Sequence, residues 1–168
     1  MSYQITIIEV PTKEPSLGCI HTALKSQLDK FGDIISSVSV KDFSNIRKET
    51  KALQAIDKAN LVVLLFEAKE RPYKEMKDFL NDLDKSIFKG KMILPAIIGG
   101  TRVHASVIEF SLKPVLISLA TTELIPTIYV MDETKKSPYP CERKESEHEI
   151  KEYLFSILKK HIPITYYI

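Results

Sequence analysis

The chain has 168 residues, 44% of them hydrophobic and 27% charged, which excludes a disordered polymer and allows one domain (1–168) with a single sizeable core. Its formal net charge of +2 comes from bases and acids mixed along the chain, so there is no concentrated field for nucleic acid or an anionic membrane. No run approaches the roughly 20 apolar residues of a membrane span.

The first residues, MSYQITIIEV, lack a basic n-region and read as a strand (Gln4 to Glu9) rather than a signal peptide. Val10 to Gly18 follows as a loop punctuated by Pro11, Pro15 and Gly18. Ile20, Ala23, Leu24, Leu28 and Phe31 recur at helical spacing, with Gly32 as the stop. Ile34 to Val40 is a second strand, and Ile46 to Ala59 a peripheral helix with a thin face of Ala52, Leu53 and Ile56. Leu61 to Phe66 (LVVLLF) is a fully buried strand, closed by a polar, solvated loop, Glu67 to Pro72. Met76, Phe79, Leu80, Leu83 and Ile87 then mark a helix with one buried stripe.

Met92 to Ile98 is apolar without alternation, as a strand buried on both faces would be. Pro95 cannot donate to a ladder, so this strand is expected to begin near Leu94 and hold the proline at its start. Gly99, Gly100 and Thr101 end it, and Val103, Val107, Phe110, Leu112, Val115 and Leu119 follow at helical spacing. Pro114 should kink or divide that helix. Leu124 to Val130, with Pro126, is a last strand near an edge. Met131 to Lys144 is a polar loop, and Ile150, Tyr153, Leu154, Ile157 and Leu158 define a final helix. The tail Ile162 to Ile168 is apolar and has either the core or another subunit to pack on. Cys19 and Cys141 have no CxxC or metal-ligand spacing and read as reduced thiols of a cytoplasmic protein.

Five strand–helix alternations imply a parallel sheet covered on both faces. The expected fold is an α/β three-layer sandwich with a five-stranded parallel sheet in the order 2-1-3-4-5, and ligands in such sheets sit outside the carboxyl ends of the strands.

Gly90, Lys91, Leu94, Pro95, Gly99, Gly100, Thr101 and His104, followed by Leu112-Lys113-Pro114-Val115-Leu116, form the pattern GK-x-x-LP-x-x-x-GGT-x-x-H…LKPVL. In this pattern the chain resembles the NADPH-dependent FMN reductases of flavodoxin-like fold, in particular those that serve alkanesulfonate monooxygenases. The resemblance implies FMN over the loops after strands one, three and four. NADPH would stack on it, and a flavin-dependent monooxygenase would receive the product. It also implies a homodimer or homotetramer.

That resemblance places the FMN phosphate near Thr12, Lys13 and Ser16. The ring would lie near Tyr73 and against Gly99, Gly100 and Thr101, with His104 on the same helix turn. Glu9, Val10 and Thr12 stand where the family carries Gly, Ser and Arg, so a carboxylate replaces a small residue and two anchoring donors are gone. Phe110 stands where these reductases commonly carry Tyr; as a bare residue it belongs to a core or an interface. His104 read by itself is a histidine in a packed helix.

No catalytic acid, base or nucleophile is expected, because hydride transfer between nicotinamide and flavin needs stacking and positioning. The alternative is a flavodoxin-like binding or interaction protein that has lost flavin. A phospho-acceptor receiver domain shares the fold but needs an acidic pair, an Asp and a Lys where this chain offers Glu9, Glu67 and Met131-Asp132.

Overall fold

A computed structural model describes residues 4–11, 15–31, 33–119, 123–130 and, within 152–160, the helical positions 152, 153, 155, 156, 159 and 160. Its parallel sheet runs β2-β1-β3-β4-β5, with β6 also on β4, in the flavodoxin-like order expected from the sequence. The strands are β1 (Gln4–Glu9), β2 (Asp33–Ser39), β3 (Leu61–Glu67), β4 (Met92–Ile98), β5 (Glu123–Leu124) and β6 (Ile128–Val130). The helices are α1 (Pro15–Leu28), α2 (Ile46–Lys58), α3 (Glu70–Asp82) and α4 (Arg102–Ser118).

Odd residues of β1 and β3 (Ile5, Ile7, Leu61, Val63, Leu65) pack with Leu24, Leu28 and Phe31 from α1 and the loop after it. Even ones (Ile8, Val62, Leu64, Phe66) pack with Ile56 of α2, Met76, Phe79 and Leu80 of α3, and Ala105, Ile108, Leu112 and Leu116 of α4. The sheet is therefore the middle of three layers, and all seven residues of β3 are buried. Polar ties hold α2 to it. Buried Thr6 donates Oγ1 to the Ala55 carbonyl at 2.7 Å. The Lys91 Nζ donates to the carbonyls of Asp57 (2.6 Å) and Ala59 (2.9 Å), a cation set at the negative end of the helix.

Several sequence expectations are corrected. Helix α1 starts at Pro15, not after Gly18, because the missing N–H of a proline costs nothing at a first helical position. It ends at Leu28, before Gly32. Helix α3 stops at Asp82; a separate 3-10 turn, Lys85–Phe88, follows, capped by the Asp84 carboxylate accepting from Ser86 N. Pro114 does not divide α4, which runs unbroken for 17 residues. The proline lies on the exposed side, so the Phe110 carbonyl that loses its donor is open to water.

Pro95 sits in the interior of β4, not at its start. Ile93 accepts from Ile125 N, so backbone groups of odd β4 residues point toward β5 and β6. Opposite Pro95 the ladder is empty: Ile93 pairs with Leu124, Ala96 with Ile128, and Pro126 lies between. The two prolines face one gap, which splits the predicted last strand in two. Helical backbone at Tyr153 and Phe155 agrees with the predicted final helix, and the Phe155 ring lies 5.4 Å from that of Phe31. The tail Ile162 to Ile168, the loop 131–144 and the side chains of Cys19 and Cys141 lie outside the described residues. Among the described residues no helix is long and apolar enough to cross a membrane.

Candidate functional site

The carboxyl ends of β1, β3 and β4 converge on one edge of the sheet, and their loops carry the residues singled out above. At β1, Val10 extends the ladder by donating its N–H to the Leu65 carbonyl (3.1 Å), and its side chain is buried against the α2–α4 layer. Pro11 is exposed. Thr12 and Lys13 lie outside the described residues, and of Ser16 only its place in the first turn of α1 is described. A first helical turn offers backbone N–H groups and the positive end of the helix dipole, which suit an anion. Glu9 points to the α1 side, like Ile7, and its carboxylate accepts from Ser37 Oγ at 3.3 Å. The acid is engaged with β2.

At β3 the structure departs from the expected solvated loop. Glu67 is the last strand residue and is buried, with its Oε1 2.8 Å from Lys69 Nζ. By strand parity it shares the α1 face with Glu9, so adjacent strands each end in a carboxylate. An acid closing a wholly apolar strand was the signal, and the charge of the next residues hid it. Tyr73 packs into the α2–α4 layer, its hydroxyl enclosed without a protein hydrogen-bond partner, and Lys77 Nζ lies 5.9 Å from its ring centroid. A tyrosine at i−3 from Met76 continues the helix stripe, and burial of its ring outweighs the unmade hydrogen bond of one hydroxyl.

At β4 two successive residues take left-handed backbone, Gly99 at φ 73° and Gly100 at φ 71°. A Cβ on Gly100 would stand 3.0 Å from both the Cβ and the carbonyl oxygen of Ala68. Glycine is therefore required twice over at Gly100, by its dihedral and by contact. Ala68 N donates to the Ile98 carbonyl at 2.8 Å, which closes the two loops into one ledge. The loop then enters α4 through Thr101, whose Oγ1 accepts from His104 N (3.3 Å) and whose carbonyl accepts from Ala105 N (3.0 Å). The His104 side chain is exposed on the first turn of α4, not packed. The structure thus brings Gly99, Gly100, Thr101 and His104 together, adds Ala68, Glu67 and Lys69 beside them, and packs Tyr73 into the α2–α4 layer.

The described residues fit the ring portion of FMN. Gly99 and Gly100 leave a stretch of main chain without side chains, beside the first turn of α4 and its inward dipole. Elsewhere, a cavity of about 450 Å³ lies between α2, α3 and the 3-10 turn Val40–Ser44, edged by Glu49, Glu75, Asp78 and Asp82. Its acidic rim disfavours a phosphorylated ligand.

No protein-family model matches the chain. Over 57 residues it is 33% identical to the FMN reductase (NADPH) of Escherichia coli strain K12; the match spans 34% of this chain and 30% of that protein. The fold aligns with an NADH:FMN oxidoreductase in its apo form at TM-score 0.67, with 17% identity over 95% of this chain and 90% of that one. It aligns with oxidised flavodoxin 2 of Bacillus cereus at TM-score 0.55 (14% identity, 94% and 99% covered). With general stress protein 14 of Treponema denticola, solved in complex with FMN, the TM-score is 0.56 (11% identity, 94% and 96% covered). The chain therefore has a flavodoxin-like fold and, across a third of its length, is similar in sequence to an NADPH-dependent FMN reductase.

Proposed function

We propose that the chain binds FMN at the carboxyl ends of β1, β3 and β4 and acts as an NAD(P)H-dependent FMN reductase. The observation that carries this reading is the Gly99–Gly100–Thr101 loop, locked against Ala68 and capping α4. Bound FMN would supply the electron acceptor, taking one hydride from NADPH and one proton from water. The protein's part is binding and positioning. Main chain at Gly99 and Gly100 would hold the ring, Thr101 would keep the loop in place, and the start of α1 with Thr12, Lys13 and Ser16 would offer donors to the phosphate. His104, exposed at the loop's edge, would contact the ring or the nicotinamide. The reduced flavin would pass to a flavin-dependent monooxygenase.

The test is titration of purified protein with FMN, followed by flavin absorbance and fluorescence, and then NADPH oxidation with FMN present. Micromolar binding and flavin-dependent oxidation are expected. Neither signal at millimolar flavin would reject the reading.

A second reading, a flavodoxin-like binding protein without flavin, is favoured by the packing of the Tyr73 ring into the α2–α4 layer and by the carboxylates at Glu9 and Glu67. Thr12→Arg separates the two, because it puts back a cationic phosphate donor where the family carries Arg. Val10→Ser would not, because Val10 is buried. FMN binding gained only with Thr12→Arg supports the second reading.

A further inference from the structure

The cavity between α2 and α3 lies on the side of the sheet opposite α1 and shares no residue with the loops at the strand ends. Its origin is in the sequence. The buried face of α2 is thin, Ala52, Ala55 and Ile56, so the helix leaves room beside α3. Phe43, half-buried in the 3-10 turn, bridges the small cluster of Val38, Ala52 and Ala55 and the larger one beneath α3. Its ring meets that of Phe79 edge to face, with centroids 4.6 Å apart. With Val40 and Leu83 these rings form the apolar walls of a space of about 450 Å³, within the range of small-molecule sites. The rim is acidic for an equally local reason. Glu75, Asp78 and Asp82 recur at helical spacing on the side of α3 that carries Phe79, and Glu49, in the first turn of α2, lines the other wall. Against these four carboxylates the lining has one ammonium, Lys41, and Arg71 reaches Glu75 with its Nε 3.3 Å from Oε1.

We propose that this cavity is a second ligand site and that it takes a small organic cation, an ammonium group carried on an aromatic or branched aliphatic body. The body would fill the space between Val40, Phe43, Phe79 and Leu83, and the ammonium would lie at the rim among Glu49, Asp78 and Asp82. Charge decides against the other occupants. Phosphates, carboxylates and nucleic acid meet a rim of their own sign. A bare metal ion needs converging ligands, and among the described residues no group of three or more His, Cys, Asp and Glu side chains is placed to hold one. A neutral apolar molecule would use the walls and gain nothing from the carboxylates. A cation with an apolar body uses both, and the aromatic walls add their own attraction for it. Asp78 and Asp82 are exposed, so each contributes modestly, and a ligand of one ring is expected to bind with a Kd of about 1 mM.

The experiment is a titration of the full chain followed by amide proton–nitrogen correlation spectra, without flavin, so that its outcome is independent of the FMN reading. Three probes carry the same phenyl ring on the same chain and differ in the terminal group: phenylbutylammonium, phenylbutanol and phenylpentanoate. A fourth, butylammonium, keeps the charge and lacks the ring. Phenylbutylammonium should shift the amides of the 3-10 turn, of Glu49 and of the segment Glu75–Leu83 together and saturably. The alcohol should bind about threefold more weakly, and the carboxylate and butylammonium about tenfold. The variant D78N/D82N changes two exposed side chains and should keep the wild-type thermal melt. It should weaken phenylbutylammonium by about threefold or more and leave the alcohol unchanged, and Glu49→Gln should act in the same direction from the α2 wall. No saturable shift at about ten times the expected Kd would overturn the site. So would shifts centred elsewhere, equal affinity for the three terminal groups, or indifference to D78N/D82N. Equal binding of butylammonium would overturn it as well, because the rim alone would then be attracting cations.

Discussion

Alanine at Gly100 tests the ledge directly. At φ 71° a Cβ meets its own backbone, at a cost of about 1–2 kcal/mol. It would also stand 3.0 Å from the Cβ and oxygen of Ala68, so that one loop must move by a few tenths of an ångström within a packed region; such overpacking adds about 1–3 kcal/mol. The sum is about 2–5 kcal/mol, which for a domain of this size lowers Tm by roughly 4–20 °C. Gly90→Ala is the control, since Gly90 has φ 77° but nothing within 4 Å of the added Cβ, and it should lose only the first part. Ala68→Gly removes one of the two contacts. In a double-mutant cycle, Gly100→Ala should therefore cost about 0.5–1.5 kcal/mol less when residue 68 is glycine. Urea unfolding followed by far-UV circular dichroism reads the wild type and all four variants. Equal losses at Gly90 and Gly100, or no coupling with Ala68, would refute the contact and with it the joining of the two loops.

Replacing Lys91 by Met leaves the Asp57 and Ala59 carbonyls without their donor and should cost about 1–3 kcal/mol by urea titration at neutral pH. Burial, the larger influence, holds the Lys91 ammonium below the usual lysine range, and the Asp57 carboxylate opposes it. The unfolded chain therefore keeps more protons as pH rises toward that range, and wild type should gain stability relative to K91M on the alkaline side; a constant difference would exclude the shift. Thr101→Ala removes the cap of α4 and should cost about 1 kcal/mol, with faster amide exchange confined to the first turn of that helix. Unchanged exchange at His104 would show that the cap is not used.

The alternation of apolar strands and amphipathic segments made the sheet order legible, since an all-apolar run such as Leu61 to Phe66 has only a doubly covered strand as its home. What misled were residues whose usual meaning depends on position. Pro15 reads as a loop residue and is a helix start, and Pro95 reads as a strand end and sits opposite a gap that Pro126 makes. On α4, helical spacing merged two stripes into one: Val103, Val107 and Phe110 were read with Leu112 and Leu119, although the two groups face opposite ways. Periodicity gives the pitch of a helix but not which side meets the core. The glycine loop was legible because its dihedrals admit little else, whereas Tyr73 was not, because a tyrosine serves equally as a stacking ring and as the edge of a core.

The paired prolines have a consequence for how copies of the chain can meet. An uninterrupted outer strand is an open row of donors and acceptors, and it would template the same strand in a neighbour without limit. Here the described margin beyond β4 is two residues, a kink and three more, too short and too bent to propagate a ladder. Among the described residues, that side offers sheet extension only a short, interrupted template.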